Sequence, residues 1–373
     1  MKKVFLSLAA VCAIGSAIAQ NNTATSTQTG SGNQILGLTQ AGMSNNATIQ
    51  QIGDNNKSTF SQKGNSNQAS LGMTQGNTNL VNVTQEGNQN NGAFEVWGND
   101  NKANLNQKGS KNFSYFNMRG TGQFFTGGGN NNNNTVGITQ TGDENTQSGG
   151  LQGSNNTFSL TQTGNKNSAG SGYDALGMYA IGNNNQASFV QAGNENKLTS
   201  HAKGNNNNVT NTQTGSLNES YFTQTGNFNS TSGFQTGDKN KLTIGQTGGN
   251  NNNALFRQSG NRNTSTVAQT GSTNFTDHWQ YGNDNVSTLT QTGNSNQILT
   301  DQIGSGNSLI ATQNGSNNLI TREFNGPNQE YFGQHGDNNS AVINQMSNGN
   351  TYTFSQTGNG NSTIVSQGPA MNP

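Results

Sequence analysis

The side chains that recur at fixed spacing in this chain are primary amides. The chemistry they offer is hydrogen bonding to copies of themselves. The pattern Gln-x-Gly-x-x-Asn returns with a period of 11 residues, with clean instances beginning at Gln51, Gln62, Gln85, Gln107, Gln140, Gln162, Gln191, Gln213, Gln224, Gln235, Gln246, Gln291 and Gln302 among others. An amide supplies two N–H donors and a carbonyl acceptor, which suits a ladder and suits neither proton transfer nor nucleophilic attack. Groups fit for catalysis are sparse. His201, His278 and His335 lie far apart, and no cluster has metal-ligand spacing. The Gly/Asp-rich calcium repeat is missing. The sole cysteine is Cys12. The chain therefore reads as non-enzymatic, with no metal and no cofactor.

The element that carries the amides follows from one unit, Asn56 to Ser66. With Asn56 as position 0, even positions hold Asn, a small residue, a large apolar residue and Gln, while odd positions hold polar ones. Strict alternation over seven residues predicts a β-strand. Gly at position 8, tolerant of positive φ, predicts a tight turn. The large apolar slot is filled by Ile49, Phe60, Val83, Leu105, Ile138, Phe222, Phe256 and Phe354. One strand buries too little to fold alone, so two strands folded face to face as a β-arch make a coil of about 22 residues. The predicted fold is all-β, a β-solenoid of about 15 stacked two-strand coils with two parallel sheets face to face. At about 4.8 Å per coil the rod is roughly 70–75 Å long.

Buried amides are costly unless bonded, and stacking answers that cost. The structural ladder is expected at Gln51, Gln62, Gln85, Gln107, Gln213, Gln224, Gln291 and Gln302, with a parallel one at Asn56, Asn67, Asn218, Asn229, Asn296 and Asn307. The turns are expected at Gly53, Gly64, Gly215, Gly226, Gly293 and Gly304. From Gln28 to Gln367 the beat recurs about 31 times, partly in degraded form such as Val96-Trp97-Gly98 and Ala202-Lys203-Gly204. A Gly/Asn run over Gly120–Asn134 replaces one motif, and a loop insertion of about seven residues falls near 168–179.

Composition agrees with an amide-built rod. Only 27% of residues are hydrophobic and 9% charged, against roughly 45–50% and about 25% in ordinary soluble domains. One large apolar core is excluded, and a net charge of 0 gives no basic footprint for nucleic acid. Lys2-Lys3, an apolar Val4–Ser16 and Ala17-Ile18-Ala19 read as a signal peptide over 1–19, with repeats over 20–368 and a tail over 369–373. Without Lys2 and Lys3 the chain has 14 basic and 16 acidic residues.

Gln-x-Gly-x-x-Asn in units of 11, doubled to about 22 behind a signal peptide, resembles the curlin family. Curlins are the subunits of curli, the extracellular functional amyloid of bacterial biofilms. The resemblance covers nearly all of Gln28–Gln367. It implies a β-solenoid that polymerises into cell-surface fibres outside the cell, aiding adhesion and matrix formation. It also implies export through an outer-membrane curli-type secretion pore, with nucleator and chaperone proteins as partners. The principal partner is the chain itself.

Three further expectations rest on particular residues. Arg322 and Glu330 fall in inward slots, so an ion pair across the core is expected if their units share one arch. Thr-x-Thr at odd positions (Thr139/Thr141, Thr161/Thr163, Thr212/Thr214, Thr223/Thr225, Thr290/Thr292) supports an alternative function, an ice- or surface-binding solenoid. Neither end shows a capping element, so each leaves unpaired strand edges that template another chain.

Overall fold

A computed structural model describes residues 21–73, 76–118, 132–170, 178–325 and 330–368, excepting the side chains of 323–325 and 330–332. The expected signal peptide and tail lie outside the described residues, as does most of the Gly120–Asn134 run. Among the described residues there is no helix. The period leaves no other outcome: a seven-residue alternating run followed by Gly cannot continue as a helix.

Each unit forms a strand over positions 1 to 7. In Lys57–Lys63 and Lys102–Lys108 exposed and buried residues alternate, as the amphipathic pattern requires. Successive strands go to alternate sheets. The first sheet runs from Thr23–Thr29 to Ser362–Gln367 in fifteen rows, the second from Gln34–Ala41 to Thr351–Thr357 in fourteen. Every rung-to-rung pairing is parallel and in register, so like positions stack: Phe60 on Val83 and Gln62 on Gln85. One register shift occurs, between Ile35 and Gly37, where Leu36 bulges outward. The result is a two-sheet β-solenoid of about fourteen turns, with about 22 residues per turn. Its core is the column of inward positions 2 and 4, in which Phe60, Phe94, Phe116, Phe189, Phe222, Phe256 and Phe354 are all buried.

The coil count falls slightly below the sequence expectation because two beats are not strands. Gln107 stacks directly on Gln140, 33 residues away, instead of 22. The 11 surplus residues match one beat and so pass for a unit in the sequence. Gln302 stacks on Gln334, 32 residues away. There the backbone leaves the solenoid, and Glu323–Asn325 pairs antiparallel with Glu330–Phe332 before the row resumes at Gln334–His335. Glu330 therefore does not stand in a regular row facing Arg322, as a shared arch would require. A third excess, seven residues between Gln162 and Gln191, splits one row into Ser168–Ala169 and Met178–Ile181.

Candidate functional site

The candidate functional surface is the ladder, together with the two ends where it stops among the described residues. In the second sheet the Gln column is continuous from Gln40 to Gln356. Gln62 Nε2 donates to Gln85 Oε1 at 2.9 Å, Gln85 to Gln107 at 2.8 Å, and Gln213 to Gln235 at 3.0 Å. Each Gln also donates across the coil, as Gln213 does to the Lys197 carbonyl. Hydroxyls at position 2 tie the column to the facing sheet: Ser220 Oγ donates to Gln235 and accepts from Gln213. Both protons and the carbonyl of the interior Gln residues of this column are thus used, which is what makes their burial tolerable.

In the first sheet the column is interrupted. Gln28 and Gln51 bond at 2.6 Å, and a second run extends from Gln224 through Gln291 to Gln367. Between them stand Met73, Val96, Met118, Leu151, Ala180 and Ala202, all buried. These are the degraded beats, scattered in sequence but contiguous in space because alternate units share a sheet. One apolar rung would orphan the amides above and below it, so apolar rungs occur in a block. Gln302 belongs to the continuous column, bonded to Gln280 and Gln334.

The Asn column runs along both edges. Asn56 receives its neighbour's amide N–H, from Asn79 at 3.0 Å, and its own Nδ2 donates to the Gly76 carbonyl at 2.8 Å. Asn67, Asn218, Asn229, Asn296 and Asn307 repeat this with the turns of Gly87, Gly237, Gly249, Gly315 and Gly336. The turn residues Gly53, Gly64, Gly215, Gly226, Gly293 and Gly304 have φ between 110° and 122°. At Gly53 a Cβ would also strike the Gly76 carbonyl of the next coil, so both backbone shape and rung spacing demand glycine.

Two turn positions were missed in the sequence. Position 9 forms a further ladder: the Asp54 N–H donates to Asn77 Oδ1 at 2.7 Å, and the Ser216 N–H to Asp238 Oδ1 at 2.8 Å. The signal was available, since Asn, Asp or Ser fills this slot at almost every turn. Position 10 is left-handed even where it is not glycine, as at Leu217 (φ 60°) and Phe228 (φ 57°).

One cluster of charged side chains lies on the outer face of the second sheet. Arg322 Nη2 is 3.1 Å from Asp277 Oδ2, and its guanidinium lies 5.0 Å from the Trp279 ring centre. Asp277 and Trp279 are odd-position residues, so the Arg322 guanidinium lies on the outward side of the sheet, where its strand leaves the solenoid row. The side chain of Glu330 lies outside the described residues. Trp279 also receives Arg257, at 5.1 Å from the preceding rung. The Gly333 N–H donates to buried Asp301, and burial raises that carboxyl to about 6. His278 faces inward, fully buried, with Nδ1 2.8 Å from Thr300 Oγ1. Burial holds it neutral, with its pKa lowered to about 3. His201 stacks outward on Tyr179 at 4.3 Å.

The Thr pairs divide between two faces. Thr139/Thr141, Thr161/Thr163 and Thr212/Thr214 lie on the second sheet, and Thr223/Thr225 and Thr290/Thr292 on the first.

The ends of the column differ from its middle. Thr23–Thr29 is exposed along its whole length and pairs only with Asn46–Ile52 among the described residues. Ser362–Gln367 pairs only with Ser340–Gln345. A family model for the curlin associated repeat matches residues 42–72, 76–109 and 260–293. Those three segments are similar to the curlin associated repeat. A comparison with curated proteins gives no match. The matched segments each hold three consecutive half-coils, and the in-register pairing carries the same geometry through the described rows between them.

Proposed function

We propose that this chain is the structural subunit of an extracellular, curli-like amyloid fibre built by end-to-end stacking. One observation carries the reading. Both terminal strands present open parallel edges whose ladder groups lack a further rung among the described residues. Such edges pair with another chain unless covered. The two edges are chemically opposite, so the contact is head to tail and does not close, which makes filaments. Support for cell adhesion and a biofilm matrix follows from a fibre of this kind. A leader peptide, an outer-membrane secretion pore and nucleator or chaperone partners complete the reading.

The test uses the chain from Gln20 onward, purified under denaturing conditions and diluted into buffer. Fibres are expected, with a meridional 4.8 Å reflection and amyloid-dye binding. Chain that stays monomeric after prolonged incubation, or fibres without that reflection, would count against the proposal.

A further inference from the structure

Among the described residues the number of strand rows is odd, and this bears on how copies of the column can join. The first sheet holds fifteen rows and the second fourteen. The chain enters on the first sheet at Thr23–Thr29 and leaves on the first sheet at Ser362–Gln367. Residues 1–20 and 369–373 contain no Gln-x-Gly-x-x-Asn motif. Two copies stacked in the same orientation face a mismatch. If Thr23–Thr29 of the second copy sits under Ser362–Gln367 of the first, its Gln34–Ala41 strand lies two rungs below Thr351–Thr357, and a seven-residue strand is missing from the second sheet. Closing that gap would drive the two first-sheet strands into each other. An empty rung leaves two rows of backbone N–H and C=O groups without partners, which a parallel ladder does not tolerate when buried.

We propose that successive copies in the fibre are related by a half turn about its axis, so that the first sheet of each copy continues the second sheet of the copy before it. This rests on the end-to-end reading above. Thr23–Thr29 then stacks on Thr351–Thr357, and Gln34–Ala41 stacks on Ser362–Gln367, with no rung empty. The 11-residue unit makes this possible, because both sheets are built from the same motif with the same register.

The apolar groups at the two ends favour this junction over the unrotated one, and the amides fit it. Among the described residues Ile364 is the most exposed large apolar side chain, at 76%, and Leu36 is exposed at 58%. Both hold outward positions. In the rotated junction Ile364 lies over Gly37, whose missing side chain leaves room, with the bulged Leu36 beside it. In the unrotated junction Ile364 lies over Thr25 and Leu36 has no apolar neighbour. The inward residues also match: the Tyr352 and Phe354 rings at one end meet Ala24 and Ser26 at the other, large against small. The amides continue the same directions. Each Gln donates to the next coil, so Gln367 Nε2, which bonds only the Thr351 carbonyl among the described residues, is placed to donate to Gln40. Each Asn N–H donates to the preceding coil, so Asn22 and Asn33 donate to Asn350 and Asn361.

Paired cysteines decide between the junctions, since adjacent rungs about 4.8 Å apart admit a disulfide. The chain from Gln20 onward has no cysteine. Fibres of the double variant Thr25→Cys/Thr353→Cys are expected to give a reducible ladder of oligomers on denaturing gels. Fibres of Thr25→Cys/Ile364→Cys are expected to stay monomeric under the same conditions. The reverse result overturns the half turn while leaving the fibre reading standing. Failure of the cysteine-free chain to form fibres overturns both. Helical reconstruction of unsubstituted fibres gives an independent reading: a rise of about 70 Å with a rotation of about 180° beyond the sheet twist supports the junction, and a rotation near zero overturns it.

Discussion

Leu217 and Phe228 occupy the left-handed turn position that most units give to Asn, Lys, Ser, Asp or Glu. An L-residue in that conformation costs about 1–2 kcal/mol, and Asn bears it more easily than a bulky apolar residue. Phe228 is also 58% exposed, with Asn206 and Asn251 at the equivalent turns above and below. Leu217→Asn and Phe228→Asn are each expected to raise stability by about 1 kcal/mol, read from denaturant unfolding of monomer before assembly. A fall in the midpoint for both would mean that the side chains pack in some way that exposure does not show. His278 and Asp301 act oppositely with pH. For His278 the folded pKa, about 3, lies below the unfolded 6.5, so the unfolded chain takes up the proton and stability falls as pH drops from about 6.5 toward 3. For Asp301 the folded value, about 6, lies above the unfolded 3.8, so stability rises as pH drops from about 6 to 4. The two slopes offset each other between about pH 4 and 6. Asp301→Asn removes one of them, and the variant is expected to lose stability on acidification with a slope approaching about 1.4 kcal/mol per pH unit. Melting curves at half-unit pH steps check this; parallel profiles for variant and parent would refute it.

At the scale of the strand, the unit is what the residues made legible. Alternation over Lys57–Lys63 gave the strand, Gly64 the turn, and the doubled period the arch. What could not be read was membership of a sheet when the beat is imitated. The surplus before Gln140 is one full beat, and the surplus before Gln334 is ten residues, one short of a beat. Arithmetic on spacing sees a unit in each, while only the backbone shows an excursion. Arg322 was placed inward for that reason, although the parallel row stops at Arg322 and its strand runs on out of the solenoid. The blocks of apolar rungs also became visible only once alternate units were assigned to one sheet. They make a prediction about columns. Gln107→Met in the continuous column leaves Gln85 Nε2 and Gln140 Oε1 without their bonds. Each orphaned buried group costs about 1–3 kcal/mol, so a loss of roughly 2–6 kcal/mol is expected. Met118→Leu, inside the apolar block, is expected to cost under about 1.5 kcal/mol. Equal losses at the two sites, measured by urea unfolding, would show that the Gln column contributes no more than shape.

At the scale of the whole molecule, parity becomes a property that can be changed. Deleting Asn208–Asn218 removes one 11-residue unit and joins Asn207 to Glu219 in the correct phase. Gln191 then stacks on Gln224, Phe222 still faces Gly233, and every later strand changes sheet. The row total becomes even, so seamless joining no longer needs a half turn. Deleting Asn208–Asn229 removes a full coil and leaves the total odd. A gold label on Thr288→Cys, an exposed residue of an outer face, reports the difference. On parent fibres the labels are expected on alternate sides, with a same-side repeat of about 140 Å, from the 4.8 Å rung spacing. The full-coil deletion keeps the alternation with a slightly shorter repeat. The single-unit deletion places every label on one side, with a repeat of about 67 Å. Since the end strands are identical in all three proteins, a change of side can come only from the number of rows between them. Alternating labels on the single-unit deletion would mean that subunit orientation is set by contacts at the ends and not by continuity of the sheets.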